Sequence, residues 1–183
     1  MPRSKDEILN LVAAAQAGDV AAFGILYQEL LNPIFRFIRY QVKDQIEAED
    51  LAQEVFVKAW SKLDQFSDRG FTFQSWLYQI ARTTVLDWFK KKKMVIVDEP
   101  EQVFGNLESP HGDPLAEAIQ NETAEQINEA LADLSHTDRE VLVLYYVSDL
   151  GHAEISAILG LSEEAVRQRK SRALRSLKAK FGR

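Results

Sequence analysis

At 183 residues with 46% apolar content, the chain has the size and composition of one large globular domain or two small ones. It contains no cysteine, which excludes disulfides and thiolate metal sites and makes a reducing cytoplasm the simplest compartment. The N-terminus leads into no apolar signal core, and no stretch approaches the roughly 20 apolar residues of a membrane span. These features predict a soluble, cytoplasmic protein.

The net charge of −6 is unevenly distributed along the chain. Lys and Arg minus Asp and Glu gives +1 for residues 1–93, −11 for 94–138 and +4 for 139–183. All of the excess acid therefore lies in the middle, and an acidic total does not exclude a nucleic-acid partner for the two ends.

Residues 4–93 carry helical periodicity almost throughout and predict about four helices. We expect them near 4–17, 19–42, 46–63 and 72–93, with Pro33 kinking or interrupting the second. No alternating strand pattern of useful length occurs, so the predicted fold class is all-α.

The third predicted helix carries a compact acidic patch. Asp50, Gln53 and Glu54 follow i, i+3, i+4 spacing and project from one face, while apolar residues mark another. Taken by itself, such a patch is more typical of an ordinary exposed helix face than of a binding site.

Aromatic rings alternate with Arg, Gln and Ser from the end of this helix into the fourth. Such surfaces can stack unpaired bases, at roughly 1–3 kcal/mol per base, and hydrogen-bond their edges. Burial competes with this role, and the core is predicted to take Trp60, Phe73, Leu77, Ile80 and Phe89. At most some of four other rings then remain for a nucleobase: Phe66, Phe71, Trp76 and Tyr78. Four lysines, 90–93, end the helix and can meet phosphates or favour its dipole.

The helical pattern breaks from residue 94 to about 114, where proline and glycine punctuate an acidic tract without Lys or Arg. This tract predicts a linker to a C-terminal domain that starts near Leu115 or, more conservatively, Ile127. The linker either shields basic surfaces or occupies a nucleic-acid channel, or it is a soluble spacer.

The last third of the chain predicts a helix-turn-helix. Gly160 can take the left-handed conformation that ends a helix, and Ser162 stands where the next helix needs an N-cap. This architecture presents one helix to a DNA major groove. Arg forks onto guanine and Gln onto adenine, so the candidates for base edges are Arg167, Gln168, Ser171 and Arg172. Backbone contact or packing is expected of Arg169, Lys170, Arg175 and Lys178.

No catalytic constellation is present in the sequence. The three histidines (His111, His136 and His152) are scattered, and a surface or capping role is expected of each. We predict no enzyme activity, no metal site and no cofactor.

Three segments in this order resemble the extracytoplasmic-function (group 4) RNA polymerase sigma factors. The first runs from Asp50 to Phe56 with Ala59 and Trp60. The second runs from Phe73 to Arg82 with Asp87. The third runs from Glu154 to Ser162 with Val166 and Arg169.

The resemblance implies two small helical domains: a sigma-2-like domain in 1–93 and a sigma-4-like helix-turn-helix domain in 127–183, joined by the linker 94–126. It implies that Asp50, Gln53 and Glu54 dock on the β′ coiled coil of core polymerase and that the C-terminal domain rests on the β flap. Minus-10 capture and melting would fall to Phe66, Asp68, Arg69, Phe71, Trp76, Tyr78, Gln79, Arg82 and Thr83. Minus-35 duplex recognition would fall to Ser162, Arg167, Gln168, Arg169, Lys170, Ser171, Arg172 and Arg175. Promoter DNA and an anti-sigma factor are the further expected partners.

The chain departs from the family pattern at three positions. Thr83 stands where Asn is common, Gln79 where Arg is common and His152 where Tyr is common. The promoter sequence read by relatives therefore does not transfer to this chain.

Two other interpretations of the sequence remain open. In one, the C-terminal module alone binds duplex DNA, and residues 1–93 sense a ligand or dimerise, so that the chain is a regulator and not a polymerase subunit. In the other, the chain sequesters polymerase or a partner without touching DNA.

Overall fold

The computed structural model describes residues 3–42, 44–68, 72–95, 131 and 134–181. Within these residues it contains seven α-helices, one 3-10 turn and one π-helical turn, and no strand. The prediction of an all-α fold is confirmed.

Four helices form the N-terminal domain: α1 (Lys5–Gln16), α2 (Val20–Arg39), α3 (Gln45–Ser61) and α4 (Phe73–Val95). A 3-10 turn, Leu63–Gln65, follows α3. The first three helices begin at side-chain N-caps, which are Ser4, Asp19 and Asp44. All four predicted helices are confirmed, and α2 continues through Pro33 instead of ending there.

Three helices and a π-helical turn form the C-terminal domain. Helix α5 (His136–Leu142) continues into the π-helical turn Val143–Val147, and α6 (His152–Leu159) and α7 (Glu163–Phe181) follow. The predicted linker, 94–126, lies outside the described residues except for its first two, which extend α4.

Large apolar side chains fill the core of the N-terminal domain, and Leu26, Phe37 and Leu77 are completely buried. The predicted burial of Phe73, Leu77 and Ile80 is confirmed. The predicted burial of Trp60 and Phe89 is wrong, because they are 42% and 37% exposed. Both stack edge to face on a neighbouring ring, Trp60 on Phe23 and Phe89 on Trp88, without being enclosed.

The two domains are in direct contact. Helix α4 packs on α6, and α2 packs on the π-helical turn. Tyr78 of α4 lies at this junction, completely buried, with its ring 5.3 Å from that of Phe37. The junction therefore covers one side of α4.

Candidate nucleic-acid interface

The helix-turn-helix forms as the sequence predicts. Gly160 ends α6 with a φ of 66°, in the left-handed region where a side chain would be strained. The Ala165 amide donates to Ser162 Oγ at 3.1 Å, which caps α7. Val166, Ala173 and Leu177 are almost completely buried and fix α7 against the domain. The opposite side of α7 is left to solvent.

Four exposed polar residues, at i, i+3, i+4 and i+7, form the outward surface of α7. We call this surface the reading face: Gln168, Ser171, Arg172 and Arg175. Its spacing and donor groups suit contact with a DNA groove. Ser162 is exposed at the start of the same helix.

Polar side chains in the first turns of α7 hydrogen-bond to one another. Arg167 donates to Glu163 at 2.9 Å and to Glu164 at 3.5 Å, and Gln168 donates to Glu164 at 3.1 Å. These contacts are exposed and cost little to exchange for a nucleic-acid partner.

Two further arginines of α7 contact an acidic residue of α5. Asp138 accepts from Arg169 Nη1 at 3.0 Å and from Arg172 Nη2 at 3.0 and 3.1 Å. Burial alone would raise the pKa of Asp138, but hydrogen bonds from Ser135, Arg172 and Arg169 hold that pKa below its ordinary value. Asp138 is therefore a carboxylate at neutral pH.

Lys170, the third basic residue of α7, is half-buried. Its Nζ lies 3.6 Å from the ring centroid of Tyr145, a cation–π contact that directs it toward the domain. His152 lies beside the same tyrosine, with ring centroids 5.1 Å apart. Burial, with Lys170 and Arg167 nearby, lowers the pKa of His152.

The structure buries two of the aromatic residues predicted to contact minus-10 bases. Phe66 is 7% exposed and Tyr78 is not exposed at all. In this conformation neither ring can stack on a base, because both are packed edge to face against core phenylalanines, Phe73 and Phe37. Their prediction as base contacts is therefore corrected for this conformation. The pKa of Tyr78 is raised by burial, an effect that Ser148 and Gln74 partly offset.

The other predicted minus-10 residues just before α4 and in its first turn are more accessible or fall outside the described residues. Trp76 is half-buried, with its ring 5.4 Å from that of Phe66 and 5.5 Å from that of Phe73. Asp68 is exposed and pairs with Lys5 at 3.4 Å. Arg69 and Phe71 lie outside the described residues.

Gln16 of α1 fixes the entry to this loop. Its amide nitrogen donates to the carbonyl oxygens of Leu63 and Phe66 at 2.9 and 3.0 Å. The contact spans about fifty residues of sequence, and nothing in the sequence around Gln16 indicates it. Gln16 therefore helps to fix the loop that precedes α4.

The remaining minus-10 candidates lie along α4. Thr83 is exposed, and its hydroxyl donates to the carbonyls of Gln79 and Ile80. Gln79 and Arg82 instead contact the C-terminal domain: Gln79 Nε2 donates to Ala157 O at 3.0 Å and Arg82 Nε to Glu140 Oε1 at 2.8 Å.

The acidic patch of α3 is exposed. Asp50, Gln53 and Glu54 share one face, and Glu54 pairs with Lys58 at 2.7 Å. Two exposed apolar residues flank them, Ile46 at 70% and Val57 at 69% exposure. An exposed helix face that combines acidic and apolar groups suits a protein partner.

The structure gives no support for a metal centre or a membrane span in the part of the chain that it describes. Among those residues no group of three or more His, Asp or Glu is placed to hold a metal ion. None of the described helices has both the length and the hydrophobicity needed to cross a membrane.

Comparison with known proteins finds two family models in the order of the two domains. Sigma-70 region 2 matches residues 26–94, and Sigma-70 region 4 matches residues 130–179. These matches cover the acidic patch, the aromatic loop with α4, and the helix-turn-helix.

Whole-chain relatives agree with these matches. The chain is 32% identical over 172 residues to the ECF RNA polymerase sigma factor BldN of Streptomyces coelicolor. The aligned region covers 93% of this chain and 64% of BldN. It is 30% identical over 158 residues to the ECF RNA polymerase sigma factor SigM of Bacillus subtilis, at 86% and 94% coverage. A further relative, the probable RNA polymerase sigma factor RfaY of Xanthomonas campestris, is spanned over 40% of its length.

A solved structure has the same arrangement. The structure of CnrH in complex with the cytosolic domain of CnrY superposes with a TM-score of 0.72 at 28% identity, covering 96% of both chains. The similarity therefore extends to the placement of the two domains.

Proposed function

The chain belongs to the extracytoplasmic-function sigma factors of the sigma-70 family, and we propose that it binds core RNA polymerase and directs it to specific promoters. The observation that carries the proposal is the capped recognition helix α7 with its exposed reading face, in the same chain as a separate exposed acidic patch. A DNA reader and a protein-docking face are what a polymerase specificity subunit needs.

The proposal assigns duplex recognition at minus-35 to α7. Arg172 and Gln168 supply the forked donors and acceptors that read base edges, with Ser162, Arg167, Ser171 and Arg175 beside them. Arg169 and Lys170 are assigned to backbone contact or packing, because Asp138 and Tyr145 hold them against the domain. Binding here positions the polymerase but does not open the DNA.

Strand opening at minus-10 is assigned to the loop before α4 and to α4 itself. Trp76, Thr83, Gln79 and Arg82, with Asp68, Arg69 and Phe71, supply the ring, hydroxyl, amide and guanidinium groups that hold unstacked bases. Binding energy offsets the few kcal/mol that each flipped base costs, so melting needs no bond to be made or broken by this chain. The chain is accordingly proposed to be non-enzymatic and to act without a cofactor.

Two protein partners follow from the proposal. Asp50, Gln53 and Glu54 would meet the β′ coiled coil, and the C-terminal domain would rest on the β flap. An anti-sigma factor is the second partner, supported by the similar CnrH structure, which was solved with CnrY bound. Because core polymerase works in the cytoplasm, so would this chain.

Promoter engagement requires the two domains to separate. The minus-10 and minus-35 elements lie about 25 base pairs apart, about 85 Å at 3.4 Å per base pair. In this structure Gln79 and Arg82 hydrogen-bond to the C-terminal domain within 3.0 Å and are only partly exposed. The same side chains cannot hold bases and that domain together, so this conformation is proposed to be the resting state.

In vitro transcription with core polymerase and a promoter library tests the proposal. A defined start site that depends on the chain supports it. Tight binding to palindromic duplex sites without polymerase would favour a free-standing regulator instead. Polymerase binding that persists with no DNA contribution from Arg167 and Arg172 would favour a sequestering protein.

A further inference from the structure

Asp138 connects α5 to the recognition helix. It is 7% exposed, and it lies 31 and 34 residues before the two arginines that donate to it. Its own amide donates to Ser135 Oγ at 3.2 Å, which anchors it in the first turn of α5. The carboxylate is thus held by the domain before any DNA arrives.

The two arginines that contact Asp138 differ in how far their side chains remain exposed. The Arg169 side chain is 33% exposed, and it lies beside the half-buried Lys170 on the domain side of α7. The Arg172 side chain is 59% exposed and belongs to the reading face, although Nη2 is held by both Asp138 oxygens. Among the described residues, Arg172 Nε and Nη1 make no hydrogen bond. Nη2 carries two N–H groups, and one of them pointing between the two Asp138 oxygens accounts for both contacts. Its second N–H and the adjacent N–H of Nη1 lie on one edge of the guanidinium and can act as a pair of donors to DNA.

We propose that Asp138 is a positioning residue for minus-35 recognition: it fixes the Arg172 guanidinium so that Nη1 and the second N–H of Nη2 meet a guanine. An unrestrained arginine has many rotamers and reaches a phosphate as readily as a base. Holding one nitrogen removes most of those rotamers before binding and therefore favours the bidentate contact over the phosphate contact. This inference rests on the proposed function.

The proposal makes two predictions of opposite sign for Asp138→Asn. The variant loses a negative charge beside the DNA-facing helix, so its affinity for DNA of any sequence should rise. It also frees Arg172, so its preference for the matched minus-35 element should fall by about tenfold, within the range lost with one bidentate pair. A merely structural role for Asp138 would lower both affinities together.

The experiment uses the full chain assembled with core polymerase. A minus-35 element is first selected from a random library with the unmodified protein. The dissociation constants are then measured for that duplex and for versions with each guanine replaced. The matched control is Asp149→Asn, which removes the same charge from an exposed position of the same domain, where Asn tolerates the positive φ of 53°. It should keep the preference.

A double-mutant cycle and a second variant complete the test. Asp138→Asn should cause no further loss of preference in an Arg172→Ala background, because the two residues act as one unit. Arg172→Lys keeps the charge at an exposed site but has no fork. It should reproduce the loss of preference even if Asp138→Asn folds poorly.

The outcomes separate the inference from the proposed function. If the unmodified holoenzyme shows no minus-35 preference, the proposed function fails and the inference fails with it. If it shows a preference that both Asp138→Asn and Arg172→Lys retain, the positioning role is overturned and the sigma function stands. A preference lost in Arg172→Lys and retained in a folded Asp138→Asn also overturns the role of Asp138.

Discussion

Arg82 of α4 donates to Glu140 of α5 across 2.8 Å, and the acceptor is a completely buried carboxylate. The pair joins the two domains through one of the side chains proposed to hold minus-10 DNA. A buried pair is costly to break by removing one partner, at about 3–5 kcal/mol, but both partners can be satisfied again if DNA replaces Glu140 and water replaces Arg82. Under the proposed function, DNA and the C-terminal domain would therefore compete for the same guanidinium.

Locking the domains together should abolish promoter-specific transcription. Phe89 and His136 face each other across the junction, with ring centroids 6.2 Å apart, and neither belongs to the proposed binding surfaces. The chain has no cysteine, so Phe89→Cys with His136→Cys creates a single thiol pair that a short bis-maleimide can bridge. We expect the unbridged variant to be active and the bridged one to be inactive with core polymerase. A bridged protein that starts transcripts normally would contradict the resting-state proposal, and the reagent alone on the cysteine-free chain is the control.

Weakening the contact between the two domains should favour the open conformation, in which they are separated. Glu140→Gln keeps the shape of the side chain and removes the charge that holds Arg82, so the open population should increase. Spin labels at one introduced cysteine in each domain would report this as a shift to longer distances. The effect should be absent in Asp149→Asn, and a distance distribution unchanged by Glu140→Gln would argue against a latch. Circular dichroism must show an intact fold.

Charge reversal in the acidic patch should weaken polymerase binding. Asp50→Lys with Glu54→Lys replaces two exposed carboxylates by ammonium groups on the proposed docking face, which reverses its charge, and we expect about a tenfold loss of affinity for core enzyme. The Glu54–Lys58 pair that is lost is an exposed one and contributes little to folding. A matched reversal at the exposed Asp64 should leave affinity unchanged. Equal affinity for the patch variant in a pull-down would remove this assignment.

The contribution of Asp138 to stability should depend on pH. Its pKa is lowered in the folded protein, so its stabilisation is present above the ordinary value of 3.8 and is lost as pH falls through the lowered pKa. Urea unfolding should show Asp138→Asn less stable than the unmodified chain at pH 7, by about 1 kcal/mol. This difference in the free energy of unfolding should decrease below pH 3.8. A difference that stays constant down to pH 3 would show that the charge is not responsible.

Trp76 should matter more for opening than for initial binding. Its ring packs on Phe66 and Phe73 but is only half-buried, so part of the side chain is accessible to a base. Trp76→Ala should reduce permanganate reactivity of minus-10 thymines by several-fold, while the closed complex forms with near-normal affinity. Trp76→Phe, which keeps a ring, should recover part of the reactivity. Equal losses in both steps would indicate that the substitution merely disturbs the core.

Local features were predictable from the sequence, and contacts distant along the chain were not. Gly160 and Ser162 predict the turn, because their conformational and capping preferences act within four residues. Periodicity could not decide which rings the core encloses: it predicted burial for Trp60 and left Tyr78 available, whereas the structure has the reverse. That choice depends on packing between helices, which no single helix encodes.

The supporting contacts of the candidate surfaces show the same limit. Gln16 reaches carbonyls 47 and 50 residues away, and Arg82 reaches a carboxylate 58 residues away. Asp138 is acidic in a helix of ordinary composition, and only the fold brings it beside α7. The residues that touch ligands could be proposed from their chemistry, but the residues that orient them required the structure.

The π-helical turn at Val143–Val147 sets the direction in which the helix-turn-helix points. Such a turn holds one more residue than a turn of α-helix, and each residue of α-helix rotates the chain by about 100°. Deleting a single residue there would rotate α6 and α7 around the α5 axis and break the contact between Lys170 and Tyr145. Among relatives, insertion or deletion of one residue at this point would change the direction of the helix-turn-helix without changing any of its side chains.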